Sequence, residues 1–180
     1  MTKIAFLMDP IETVAIKKDS TLAMIRASQL RGMDVYYCRQ EDLVISDDRV
    51  CAYLSRLALV SHFAEALDPA SVNNGEDSWF SLASEELMPL STMDIVMMRK
   101  DPPFDMEYIY TTYLLERAES EGVRVVNRPG ALRDCNEKLF ATAFPKCCPP
   151  LVVSRRLDVL KNFHAEHKNV VFKKLDGMGG

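Results

Sequence analysis

At 180 residues the chain has room for one large domain, or for one domain and part of a second. It is 48% hydrophobic and 27% charged with a formal net charge of −4, a globular composition that argues against nucleic acid as a main partner. Five cysteines without a CxxC spacing predict reduced thiols in a cytoplasmic setting, and no apolar run approaches membrane-spanning length.

Residues 4–8 form an apolar run closed by Asp9-Pro10 and predict a first strand. Asp19 and Ser20 are N-cap residues for a helix with an apolar face of Leu22, Ala23, Ile25, Ala27 and Leu30, stopped by Gly32. Residues 35–38 then complete a β-α-β unit. Residues 43–45 and 50–54, around Ser46-Asp47-Asp48, predict a hairpin, with a helix over 49–60 as the alternative. Residues 61–90 hold no sustained period and contain Asn73-Asn74-Gly75, which predicts surface loop with short helical turns and His62 on the surface.

Residues 94–98 predict a strand that delivers Arg99-Lys100-Asp101-Pro102-Pro103 at its carboxyl end. Asp105 caps a helix with the face Met106, Ile109, Tyr110, Tyr113 and Leu114, and residues 123–126 form the next strand. The alternation argues for an α/β fold, a mostly parallel sheet covered by helices. Asp134-Cys135-Asn136-Glu137 has capping-box spacing and predicts a helix that Pro145 ends. Cys147-Cys148-Pro149-Pro150 marks a boundary. Beyond it, residues 151–153, a helix bearing Leu157, Leu160 and Phe163, and a buried strand at 170–172 make a second, smaller β-α-β piece.

Three places carry candidate chemistry. The chain closes on Lys173-Lys174-Leu175-Asp176-Gly177-Met178-Gly179-Gly180, a strand entering a glycine-rich loop, where backbone N–H groups and a lysine can hold phosphate. Neither GxxxxGK[ST] nor GxGxxG occurs, so the loop alone is also compatible with an ordinary turn. Lys138 falls in the first turn of the capping-box helix, where the helix dipole favours an anion. Lys138 and Lys173 make a polyphosphate site if they converge, and are solvated lysines if they do not. Arg99 stands outside the carboxyl end of a strand, where open α/β sheets bind ligands. Cys147 and Cys148 with His164 and His167 fit zinc spacings badly and read as structural. Cys135 lies near a helix N-terminus without a histidine close in sequence.

Four segments, MDPIETVAIKKDSTLAM, MRKDPPFDMEYIYTTYLLERAESEGVRVVN, LRDCNEKLF and FKKLDGMGG, together resemble the bacterial glutathione synthetases of the ATP-grasp superfamily. The resemblance implies a pre-ATP-grasp α/β domain over 1–125, a connecting helix and boundary over 126–150, and the incomplete start of an ATP-grasp lid over 151–180. It implies an ATP-dependent ligase that joins γ-glutamylcysteine to glycine through an acyl phosphate. By motif match, Lys138, Lys173, Gly177, Met178, Gly179 and Gly180 would contact ATP, and Arg99 the peptide substrate. Lys174 departs from the proline usual there. Mg²⁺ or Mn²⁺ would be held by a C-terminal part absent from this sequence, with no metal ligands in the 180 residues. The family further implies a cytoplasmic homo-oligomer. The chain reads as an N-terminal fragment inactive alone; the alternatives are one half of a split ligase, or a non-catalytic remnant serving oligomerisation or regulation.

Overall fold

The computed structural model describes residues 1–60, 79–136 and 138–176. The first strand, β1 (Lys3–Leu7), lies at the centre of the sheet and is apolar on both faces. Its alternate residues Ala5 and Leu7 enter one core and Ile4 and Phe6 another, as the two-residue period of a strand requires. α1 (Ser20–Leu30) leads to β2 (Asp34–Cys38), which pairs parallel to β1. Asp19 caps α1 by accepting the Leu22 N–H at 2.8 Å, and Gly32 takes the positive φ of 73° that releases the chain after it.

β3 (Leu43–Ser46) and β4 (Arg49–Leu59) form the expected hairpin, and β4 runs on as an eleven-residue strand in place of the alternative helix. Two further strands, β5 (Phe80–Leu82) and β6 (Glu86–Pro89), both pair antiparallel with β4. That corrects the expectation of loop and helical turns for the part of 61–90 that is described. His62 and Asn73-Asn74-Gly75 lie outside the described residues. These short strands carry no clear alternation of their own; β4 supplies their pairing.

β7 (Ile95–Met98) returns to the other side of β1, and α2 (Met106–Ser120) connects it to β8 (Arg124–Val126). The order β3-β4-β2-β1-β7-β8 therefore joins a parallel part, β2-β1-β7-β8, to an antiparallel part built around β4. β4 changes its buried face along its length. Val50, Ala52 and Leu54 pack into the core beneath α2, whereas Leu57 and Leu59 pack into the core beneath α1. The switch falls where its partners change from β3 and β6 to β2 and β5. One side chain at the C-terminal end of each helix secures a half. Glu121 accepts the Val50 N–H at 3.1 Å, and Gln29 donates to the Leu57 carbonyl at 2.7 Å while accepting from Leu59 N–H.

Both long helices are rotated from their expected faces. α1 buries Thr21, Leu22, Ile25 and Ser28 and leaves Ala23 and Leu30 exposed. α2 buries Thr111, Thr112, Leu115 and Ala118, while Met106, Tyr110 and Tyr113 are exposed. The buried threonines escape a desolvation penalty because their hydroxyls donate to backbone carbonyls of the same helix, Thr111 to Glu107 and Thr112 to Ile109.

After β8 the chain departs from expectation. A short helix, α3 (Pro129–Asp134), begins with proline in its first turn, so Asp134 ends a helix instead of capping one. Asn136 caps the following turn, its side-chain oxygen accepting from the N–H groups of Lys138 and Leu139. Glu137 of the expected capping box is outside the described residues. Residues 140–147 form two 3₁₀ turns rather than the helix expected before Pro145.

α4 (Leu157–His167) forms where expected, but residues 151–153 and 170–172 are not strands and pair with nothing among the described residues. Val171 is 78% exposed, which overturns the buried strand. An apolar segment with no sheet edge beside it has no partner for its backbone groups, so β-propensity alone does not make it a strand.

Candidate functional site

β1 is the switch point of the parallel part: the chain leaves it for β2 on one side and returns on the other as β7. Crevices outside the carboxyl ends of such strands are where open α/β sheets bind ligands. Here that crevice is built from Leu7 to Asp9, from Arg99 to Asp101, and from the N-terminus of α1. The Arg99 N–H donates to the Leu7 carbonyl at 2.7 Å, continuing the β1–β7 ladder. Its guanidinium donates to Thr21 Oγ1 at 3.0 Å and Ser20 Oγ at 2.9 Å. Lys100 Nζ pairs with Asp9 Oδ1 at 2.8 Å, and Asp9 Oδ2 accepts the Asp101 N–H at 2.9 Å. Asp9 thus fixes the exit of β7, and Arg99 is held half-buried with its charge at the crevice mouth.

A cavity of about 560 Å³ opens one strand further along, beyond the end of β8. Phe104 and Tyr108 form an aromatic wall, their ring centroids 5.3 Å apart. Asn127, Arg128, Asn136 and Lys138 supply polar groups, and Leu175 and Asp176 close one side. The tail is brought there by two hydrogen bonds: the Phe104 N–H donates to the Asp176 carbonyl at 3.3 Å, and the Asn136 side-chain amide to the Leu175 carbonyl at 3.4 Å. Burial pushes the Tyr108 phenol above its ordinary value, with the Arg99 charge opposing the shift. Tyr108 thus lines the cavity as a phenol held neutral by its burial.

α3 is fastened in place by Arg133. Its guanidinium donates to Thr112 Oγ1 at 3.1 Å, pairs with Glu116 at 2.7 Å and lies 4.4 Å from the centroid of the Tyr113 ring. A planar guanidinium can hold all three groups at once, which a lysine cannot. This sets the angle at which α3 delivers Cys135, Asn136 and Lys138 to the cavity.

The structure brings the expected residues together only in part. Lys138 is half-buried in the cavity wall, in a turn and not in the first turn of a helix. Lys173 is exposed and outside the wall, although Leu175 and Asp176 just beyond it are in the wall. Gly177, Met178, Gly179 and Gly180 lie outside the described residues. Arg99 occupies the neighbouring crevice, separate from that wall. Asp9, Tyr108, Arg128 and Asn136 were not singled out from sequence. Arg128 could have been, since it lies two residues beyond the end of β8, close to where Arg99 lies after β7. Among the described residues no group of three or more His, Cys, Asp or Glu is placed to hold a metal ion. No helix among them is long and apolar enough to cross a membrane.

Family models account for nearly the whole chain. The N-terminal domain of prokaryotic glutathione synthetase matches residues 2–133, and the ATP-grasp domain of prokaryotic glutathione synthetase matches residues 137–180. The chain belongs to the prokaryotic glutathione synthetase family. Among curated relatives, a glutathione synthetase of Pseudomonas putida is 48% identical over 178 residues, covering 99% of this chain and 52% of the relative. Those of Yersinia pestis and Vibrio parahaemolyticus are 44% and 45% identical over 180 residues, covering all of this chain and 52% and 53% of the relatives. The chain thus spans about half the length of the curated relatives it matches. The break between the two family models falls at residues 134–136, where α3 ends and Asn136 caps the next turn.

Proposed function

We propose that the chain forms the N-terminal half of an ATP-dependent ligase that joins γ-glutamylcysteine to glycine, giving glutathione, ADP and phosphate. The observation that carries this reading is the cavity beyond β8. Its volume suits a small-molecule ligand, and Arg128, Lys138 and two asparagine side chains offer donors to an anion. In this reading Lys138 and Lys173 hold ATP phosphate, with Gly177 to Gly180 closing over it. Leu175 and Asp176 at the cavity edge support it, because they carry the chain from Lys173 to those glycines. Arg99 holds a carboxylate of the peptide substrate at the crevice mouth, oriented by Ser20 and Thr21. Phosphoryl transfer depends mainly on positioning and on cations set against developing charge, and these residues supply part of both.

The domain assignment belongs to the same reading: residues 1–125 form the substrate-side domain, 126–150 the connection and 151–180 the beginning of the lid. So do a homo-oligomeric assembly, a cytoplasmic location and Mg²⁺ or Mn²⁺ bound by the half of the relatives that this chain does not span. The metal would neutralise phosphate charge.

The test is to extend the chain with the C-terminal half of the Pseudomonas putida relative and measure glutathione by mass spectrometry. Glutathione should form only with ATP, γ-glutamylcysteine and glycine all present, and the 180-residue chain alone should form none. A charge-assisted bond to phosphate contributes roughly 1.5–3 kcal/mol, so Lys138→Met and Lys173→Met should each weaken ATP binding or turnover by roughly 10- to 150-fold. Phosphate release by the extended protein that ignores the dipeptide would overturn the substrate assignment.

A further inference from the structure

Cys147 and Cys148 are adjacent, and the function proposed above makes no use of them. Cys147 ends the second 3₁₀ turn and is exposed. Cys148 is half-buried, and its thiol donates to the Ala141 carbonyl at 3.2 Å, which holds it against the first 3₁₀ turn. Pro149 and Pro150 follow and restrict the backbone on the other side. Both thiols are free.

Two adjacent thiols favour one kind of partner over another. Their Cα atoms are about 3.8 Å apart across a trans peptide, whereas disulfides ordinarily span about 4.4–6.8 Å. Closing a disulfide between neighbours therefore distorts the peptide. A single atom inserted between the sulfurs lengthens the bridge and relieves that demand. We propose that Cys147 and Cys148 form a dithiol site for trivalent arsenicals, which two thiolates chelate through one arsenic atom. With an organoarsenoxide, two As–S bonds form, and the arsenic-bound oxygen leaves as water with the two thiol protons. Arsenic remains trivalent, so no oxidant or reductant is needed. Binding replaces the Cys148 bond to Ala141 and clamps the turn that joins the sheet domain to residues 149–176.

The remaining cysteines include no second adjacent pair. Cys38 and Cys51 are buried in the sheet, and Cys135 is a single exposed thiol in the wall of the 560 Å³ cavity. One sulfur gives an adduct that excess monothiol displaces; two sulfurs on one short loop give an adduct that resists it, because the second bond re-forms intramolecularly.

The 180-residue chain, reduced and freed of reductant, is treated with an equimolar amount of phenylarsine oxide and then with excess monothiol, and its intact mass is read. The expected result is a gain of one phenylarsenic group less two hydrogens, which survives the monothiol and is lost on addition of a dithiol. Cys147→Ser and Cys148→Ser should each abolish the surviving adduct, and Cys135→Ser should keep it. Fragmentation of the digested adduct should place arsenic on the peptide that carries both neighbours, a readout that needs no variant to fold. Survival of the adduct in either single variant, its loss in Cys135→Ser, or no surviving adduct on the unaltered chain would overturn the proposal.

Discussion

α1 and α4 are both eleven-residue helices, and each was legible from the same apolar spacing. α1 is capped by Asp19 and lies on the sheet, where Leu22 is 1% exposed. α4 has Arg156 at its N-cap without a side-chain cap bond, and none of its residues is buried; Leu157 is 64% exposed. The difference teaches that helical spacing specifies an element and its apolar side, while burial depends on whether another element is there to receive it. α1 is flanked by two strands that pair parallel. The apolar segments on either side of α4 find no such pairing among the described residues, and Leu157, Leu160 and Phe172 instead line a shallow surface depression with Lys161 and His164.

Hydrogen exchange should show the contrast most strongly. Amides of α1 around Ile25 should open only with global unfolding, while those of α4 should exchange near the rate of a fraying helix. The gap should approach the full stability of the domain, about 5–15 kcal/mol. Equal protection in the two helices would remove the comparison altogether.

Truncation of a side chain in each helix comes next. Leu22→Ala should cost about 2–5 kcal/mol in denaturant unfolding, because it opens a cavity beneath α1. Leu157→Ala should stay within about 0.5 kcal/mol on this chain. In a protein extended by the C-terminal half of a relative, Leu157→Ala should become costly if that half covers α4. A Leu157 effect that is unchanged there would show that the face stays open to water.

A third difference lies in alkaline stability, to which buried groups of the sheet region should contribute. Burial pushes the Cys38 thiol well above its ordinary 9.0 and the Tyr37 phenol from 10.0 to about 12. Both groups stay neutral in the fold at a pH where the unfolded chain would ionise them. Their contribution is therefore whole below pH 9 and falls as pH rises, first through Cys38 and then through Tyr37, at up to about 1.4 kcal/mol per pH unit for each group. Thermal melts between pH 8 and 11 should show the decline, and Cys38→Val should flatten its first part.

The smallest effects concern the helix starts. Asp19→Ala should cost about 1 kcal/mol by releasing the Leu22 N–H. Arg156 and Asp158 form a close pair at 2.6 Å that holds the Asp158 carboxyl below its ordinary range, yet Asp158→Asn should leave unfolding unchanged, since the pair is solvent-exposed. A measurable loss at Asp158 would mean that α4 is more firmly held than its exposure implies.

Much of the architecture was determined by the sequence alone. The apolar runs of β1, β2 and β7, the cap residues Asp19 and Asp105, and the glycine after α1 are local signals, and each acts within a few residues of itself. The four motif segments likewise carried the family without any geometry, because they are runs of residue identities. Only the tertiary structure decided what depends on neighbours distant in the chain. β5 and β6 exist as strands because β4 offers them a backbone ladder, and residues 170–172 are not a strand because no such ladder reaches them among the described residues. The buried faces of α1 and α2 are set by the curl of the sheet, which turns β4 from one core to the other between Leu54 and Leu57. The convergence of Lys138 with Asp176, and the placing of Arg99 against Ser20 and Thr21, join residues tens of positions apart through hydrogen bonds and packing. No window of sequence contains both partners of such a contact, so its geometry is a property of the folded chain.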